Sequence, residues 1–201
     1  MLFYTLDGSE PTTKAKLYKR PFIVKKQTPL RVKAFYTGMS PSEEAFRKIN
    51  IPTTLGEVIL ESQPSAPYKG SSPTILIDGE RADHTSITSG KWMGFQNKDA
   101  EVVIDLGEER KIRKIRLGYL HSPGKKVFAP SEVNVEVSND AFNYKGFRKL
   151  NKIKRHDDQL DLADTYETPI YNTTARYIYI HAKNPQLSKE SWIMIDEISV
   201  E

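Results

Sequence analysis

The dominant hydrophobic period along the chain is two. In "EVVIDL" (101–106) Val102, Ile104 and Leu106 alternate with Glu101, Val103 and Asp105. In "SEVNVEVS" (131–138) Val133, Val135 and Val137 alternate with Glu132, Asn134 and Glu136. Successive side chains of a strand point to opposite faces, so this spacing predicts strands with one buried and one wet side. "ARYIYIHA" (175–182) and "SWIMIDEISV" (191–200) are rich in β-branched and aromatic residues. The turn-rich stretches "HSPGKK", "SNDAFN" and "KNPQLSK" punctuate these runs. No amphipathic helical pattern extends beyond about two turns. The pattern predicts an all-β chain built as a sandwich or barrel.

The first fifty residues are β-like but form a unit of their own. "LFYTL" leads into the turn "DGSEP", followed by "PFIV", "LRVKAFY" and "EEAFRKINI". About four strands are few for an independent sandwich. The chain also opens inside a strand, so a truncated unit, cut from a longer protein, is expected over 1–52. Residues 52–73, with four prolines and two glycines, read as a linker and the strand that follows it.

Composition narrows the function classes. The chain has 201 residues, 38% of them hydrophobic, with 10 Tyr, 8 Phe and 2 Trp, enough for a sizeable core. With no cysteine, disulfides, thiolate zinc sites and cysteine nucleophiles are excluded. No apolar run approaches the roughly 18 residues of a membrane span, and the N-terminus lacks a signal-peptide pattern. The net charge of +4 arises from 30 basic and 26 acidic residues, well mixed. The densest basic runs are 109–116 and 145–155. In the first, Lys114 and Arg116 alternate with Ile115 and Leu117, as on the wet face of a strand, so no nucleic-acid partner is expected. The four histidines, at 84, 121, 156 and 181, have no metal-ligand spacing, and His181 alternates with Tyr177 and Tyr179 in a strand. One loop stands out. "SGKWMGFQNKD" (89–99) is polar and glycine-spaced, yet carries Trp92 and Phe95, which either plug one end of a β core or face a ligand.

Two resemblances organise these features. "YTLDGSEPT" (4–12) is similar to the short immunoglobulin-like module that follows the catalytic domain of chitobiases and β-N-acetylhexosaminidases. The motifs "APYKG", "LIDGERAD", "KWMGFQNKDAEVVIDLG", "FAPSEVNVEVSND", "ARYIYIHAKN" and "SWIMIDEISVE" resemble those of a discoidin domain, also called a coagulation factor 5/8 type C domain. The resemblance implies a discoidin-type (galactose-binding-like) jelly-roll β-sandwich over 53–201, preceded by the truncated Ig-like unit. It also implies the tail of a family 20 hexosaminidase type of protein, outside the cytoplasm, with a catalytic domain upstream.

No catalytic residue is expected in this chain. The "HxGGDE"-type motif of family 20 enzymes is absent. Asp196 and Glu197 are adjacent on a strand, so they are expected on opposite faces and unable to flank one glycosidic bond. "HDDQLDLAD" (156–164) reads as a solvated acidic connection. The resemblance implies a structural Ca²⁺ ligated by Asp78, Asp83, Thr85 and Glu197, although "DGERADHT" stretches the usual "DGxxxT" spacing. It further implies a sugar site in the end loops 83–98, 119–128 and 184–191. The candidates there are Trp92, Phe95, Gln96, His121, Lys125, Lys126 and Phe128, for terminal galactose, GalNAc or GlcNAc. Met93 stands where such sites often carry His. Trp92, at the approach to a strand, suits core packing; Phe95 suits core or ligand equally. The alternative is a structural spacer that packs on the catalytic domain or a dimer mate and binds no glycan.

Overall fold

The computed structural model describes residues 1–24, 28–49, 51, 54–152, 161–169 and 171–201. The chain divides into two compact units, Met1–Ile51 and Pro52–Glu201. No helix among the described residues is long and apolar enough to cross a membrane.

The first unit is one antiparallel sheet of β1 (Leu2–Thr5), β2 (Lys16–Leu17), β3 (Thr28–Ala34) and β4 (Ala45–Ile49), in the order β2-β1-β3-β4. Phe3 is buried and meets Phe35 edge to face, with ring centroids 5.5 Å apart.

The second unit is a sandwich of two five-stranded antiparallel sheets. Its strands are β5 (Glu57–Leu60), β6 (Met93–Gln96), β7 (Ala100–Ile112), β8 (Ile115–His121), β9 (Glu132–Ser138), β10 (Lys145–Lys149), β11 (Asn151–Lys152), β12 (Leu162–Glu167), β13 (Thr173–Lys183) and β14 (Trp192–Val200). One sheet runs β10-β9-β13-β7-β5 and the other β11-β12-β8-β14-β6. The alternation read from the sequence supplies the core between them. Val102, Ile104, Val133, Val135, Ile178 and Ile180 of the first sheet meet Leu117, Tyr119, Ile193 and Ile195 of the second. The two ends of the domain are joined by hydrogen bonds: Thr54, 2% exposed, donates its hydroxyl to the Ile198 carbonyl and accepts from the Val200 N–H.

Two expectations are corrected here. Residues 93–96 form strand β6 and not a loop; Met93, Gly94 and Phe95 are all buried, so this strand shows no alternation. Asp196 and Glu197 do not point to opposite faces. The β14–β8 register shifts between Ile195 and Ile198, which places both carboxylates opposite Gly118 in a β-bulge.

Candidate functional site: the end loops and the acidic bulge

Three connections meet at one end of the sandwich. The turn after β8 closes on itself through Ser122 N–H to the Val127 carbonyl at 2.9 Å, and then fastens to the start of β14. There Trp192 N–H donates to Lys126 O and Phe128 N–H to Trp192 O, at 2.9 and 2.8 Å. On the other side Asn97 N–H donates to the Ser191 carbonyl at 2.7 Å, and the Asn97 side chain reaches Lys189 O at 2.8 Å. Buried Asn184 donates to both Phe95 O and Ser191 O, the latter shared with the Asn97 N–H, and so ties the two loops together. Gln96, His121, Lys125, Lys126 and Phe128 therefore lie at one end. Phe128, Gln96 and His121 are partly exposed, and the His121 Nδ1 accepts the Ala129 N–H. Lys125 pairs with Asp161 at 3.5 Å and Lys126 with Glu190.

Trp92 and Phe95 do not join them. Phe95 is 0% exposed and packs in the inter-sheet core. Trp92 is 1% exposed and belongs to a second apolar cluster with Ala82, Leu120, Val127, Trp192 and Met194. That cluster forms because the 78–92 segment folds over the outer side of the second sheet, and Trp92 Nε1 donates to Asp83 O at 3.1 Å to hold it there. Neither ring has a face open to a sugar, and that expectation is corrected for both. The cleft beside Trp92, lined by Pro67, Tyr68, Ser71, Ile87 and Thr88 among others, is about 100 Å³. This is well below the ~300 Å³ at which small-molecule pockets begin.

The covering segment also carries the acidic residues. Asp196 is fully buried; its Oδ2 accepts from Arg81 Nε at 2.7 Å and from Ala82 N–H at 2.8 Å. Arg81 continues to the Thr165 hydroxyl at 2.7 Å and the Asp164 carbonyl at 2.9 Å. Gly118 is required beneath this pair, because a Cβ there would stand 2.0 Å from Asp196 Oδ1 and 2.7 Å from the Arg81 guanidinium carbon. Burial raises the Asp196 carboxyl above its ordinary value against the pull of Arg81. Among the described residues Glu197 accepts only the Gly79 N–H, at 3.1 Å, and its Oε1 has no partner there. Burial pushes Glu197 up to about 8, and the nearby Asp78 and Asp196 charges add to the rise.

The four expected calcium ligands do not fit a cation in this arrangement. Asp78 gives one oxygen to the Glu80 N–H at 2.8 Å and the other to the Lys91 ammonium at 2.9 Å. Lys91 also pairs with Glu80. Asp83 and Thr85 are exposed and bond to each other in a local turn, through both the N–H and the hydroxyl of Thr85. Among the described residues no group of three or more His, Asp or Glu side chains is placed to hold a metal ion. A lysine holds the position beside Asp78, and sequence reasoning passed over it, along with Arg81. The available signal was Asp196 itself: an acid inside the apolar run "WIMIDEI" requires a buried partner.

The family comparisons agree with this architecture. The family model described as the F5/8 type C domain matches residues 61–198, and the one described as the chitobiase/beta-hexosaminidase C-terminal domain matches residues 2–46. The chain belongs to the F5/8 type C domain family. Among solved structures, a Streptococcus pneumoniae fucose binding module aligns with a TM-score of 0.50 at 14% identity. The alignment covers 75% of this chain and 94% of that one. The lectin domain of lectinolysin, solved with Lewis B antigen, also aligns at 0.50, with 17% identity, covering 74% of this chain and 94% of that one. No curated protein matches the chain. This F5/8 type C domain has a non-catalytic fold.

Proposed function

We propose that the chain is a glycan-binding appendage of a secreted glycosidase of the β-N-acetylhexosaminidase type, with the sugar site at the end loops. The observation that carries this reading is the convergence of Phe128, His121, Gln96 and Lys125 on one end of the sandwich, anchored to Trp192. Phe128 supplies the apolar ring surface that Trp92 and Phe95 cannot; the imidazole, amide and ammonium groups supply hydrogen bonds for hydroxyls. The module matched over residues 2–46 supports a hexosaminidase-type parent. The fold shared with a fucose binding module and with a lectin domain solved with Lewis B antigen is in keeping with a glycan ligand, for which terminal galactose, GalNAc or GlcNAc is proposed. At roughly 0.3 kcal/mol per non-hydrogen atom, one monosaccharide gives a Kd in the millimolar range, so the module acts by avidity or by keeping a tethered enzyme near substrate.

The test is an NMR titration of the labelled chain with galactose, GalNAc, GlcNAc and chitobiose. Saturable shifts in residues 96–97, 121–128 and 184–191, weakened about tenfold by Phe128→Ala, are the expected result. Silence with all four sugars supports the second reading, a structural spacer. The observation favouring that reading is the burial of both aromatics of "WMGF".

A further inference from the structure

The first sheet turns its outer side to solvent, and its registers lay out that side residue by residue. β13 runs through the middle and presents Tyr177, Tyr179 and His181, since Ile178, Ile180 and Ala182 face the core. Across one edge of β13, Tyr177 lies opposite Asp105, Tyr179 opposite Val103 and His181 opposite Glu101. Across the other, Tyr177 lies opposite Ser138, Tyr179 opposite Glu136 and His181 opposite Asn134. β5 extends the same rows with Glu57 beside Asp105 and Ile59 beside Val103. The result is a row of rings flanked by carboxylates.

The rings are partly exposed and in contact. Tyr144 meets Tyr179 with centroids 5.7 Å apart, and Tyr179 meets His181 at 6.5 Å. Ile59 leaves 44% of its surface open beside them. Four strands about 4.8 Å apart and three rows about 6.7 Å apart make a platform of about 14 by 13 Å, broader than one sugar.

The charge is the distinctive part. The whole chain carries +4, yet this side is acidic. Around the rings the cations sit on carboxylates. Arg176 grips Asp105 with two bonds of 2.8 Å while its guanidinium lies 4.8 Å over the Tyr177 ring, leaving Tyr179 the more open ring. Lys183 and Lys149 both pair with Glu132. His181 holds Asp99 at 2.7 Å. Glu57, Glu61, Glu101 and Glu136 have no ion pair among the described residues. Burial, the charge of Glu101 and a hydrogen bond to it hold the Tyr179 hydroxyl up at about 12, with Glu136 and Glu61 adding to it.

We propose that this side of the first sheet is a second binding surface, for oligosaccharides of glucosamine with free, protonated amines. Tyrosine rings stack on the apolar faces of pyranoses and attract ammonium groups through their π faces. Carboxylates flanking the row pair with the amines, while an uncharged N-acetyl oligosaccharide gains only the stacking, and sulfated or uronic glycans are repelled. The surface is separate from the end loops and does not depend on their binding a sugar.

The experiment is calorimetric and NMR titration of the 201-residue chain with a glucosamine tetramer and, in parallel, its fully N-acetylated counterpart. The expected result is shifts at Tyr177, Tyr179 and His181 with the free-amine tetramer. Binding weakens as salt is raised, is unaffected by Phe128→Ala, and falls about tenfold in the isosteric Glu101→Gln/Glu136→Gln double variant. Tyr179→Ala gives a comparable loss. Absence of shifts on β13 overturns the proposal, as does equal affinity for the acetylated tetramer. Shifts confined to residues 121–128 overturn it while upholding the end-loop site. A salt-insensitive dimer of the free chain that Tyr179→Ala dissociates also overturns it, by making the platform a self-interface.

Discussion

The two sheets of the sandwich are built alike on the inside and oppositely on the outside. Outward positions of the second sheet are Gly94, Gly118, Leu120, Trp192, Met194 and Asp196, all buried beneath the 78–92 segment. Outward positions of the first sheet include Tyr177, Tyr179, His181, Glu101 and Glu136, all partly exposed, with Val103, Asn134 and Ser138 buried between them. Glycine and apolar residues on a strand's second face mean that another layer sits close; Gly94 has Tyr68 and Trp192 within 2.9 and 3.2 Å of where a Cβ would be. Tyrosine and glutamate mean that water, or a ligand, sits there. The covered face holds the fold together, and the open face is left free for the binding proposed above.

Mutating the same kind of residue on each face sharpens this contrast most. Trp92→Ala empties the second apolar cluster and is expected to cost about 4 kcal/mol in denaturant unfolding. Tyr179→Ala, on the open face, is expected to cost under about 1 kcal/mol. Equal losses would break the distinction between the faces.

Next in size is the buried ion pair. Arg81→Met leaves Asp196 in an apolar setting without its partner, and about 3 kcal/mol of stability is expected to go with it. This is the lower end for such a pair, because the guanidinium side is 42% exposed. Gly118→Ala reaches the same result from below, by forcing a methyl group into the carboxylate. If Arg81→Met unfolds at the wild-type midpoint, the pair contributes nothing and the segment is held by Trp92 and the Gly79 and Ala82 N–H groups.

These residues also mark what was legible in the chain. β7, β9 and β13 are plain in the sequence because one face of each is wet, so Val102 and Ile104 alternate with polar residues. β6 was not, since "MGF" is buried on both sides and a doubly covered strand has no period. The position of Trp92 depends on where residues 78–92 fold, a tertiary event that its neighbours in sequence do not encode. Gln96 and His121 at strand ends and Lys125 and Phe128 in the turn lie at one end of the sandwich, as expected, because turn chemistry at strand ends is local. The outward rings of β13 were visible too, but their acidic neighbours come from β7 and β9, and only strand register brings them together. The basic run 145–155 and the acidic run 156–164 extend into residues 153–160, outside the described residues.

A third expected effect concerns pH on the covered face. Glu197 has a folded value of about 8 against an ordinary 4.5, so between those limits the unfolded chain binds fewer protons than the folded one. The Glu197 contribution to stability is therefore full below pH ~4.5 and declines as pH rises toward 8, by on the order of 5 kcal/mol. Glu197→Gln should flatten this slope in a series of unfolding midpoints. Glu101→Gln on the open face should leave it unchanged. A wild-type profile already flat over this window would mean that Glu197 is paired in solution.

The smallest expected effect is that of divalent cations. Lys91 places an ammonium against Asp78 and Glu80, and both carboxylates hold the lysine above its ordinary value, Glu80 most. Hydrogen bonds from Thr54 join the start of the domain to its last strand. Adding Ca²⁺ or a chelator should therefore leave the melting temperature of the wild-type chain unchanged. Lys91→Met removes the tethered cation and leaves Asp78 and Glu80 facing one another with Glu197 nearby. That variant should lose under about 1 kcal/mol, since the pair is partly exposed, and should regain it with Ca²⁺ present. A wild-type chain that loses stability on chelation would mean that Lys91 gives way to a metal, and that the covered face is closed by an ion and not by its own side chains.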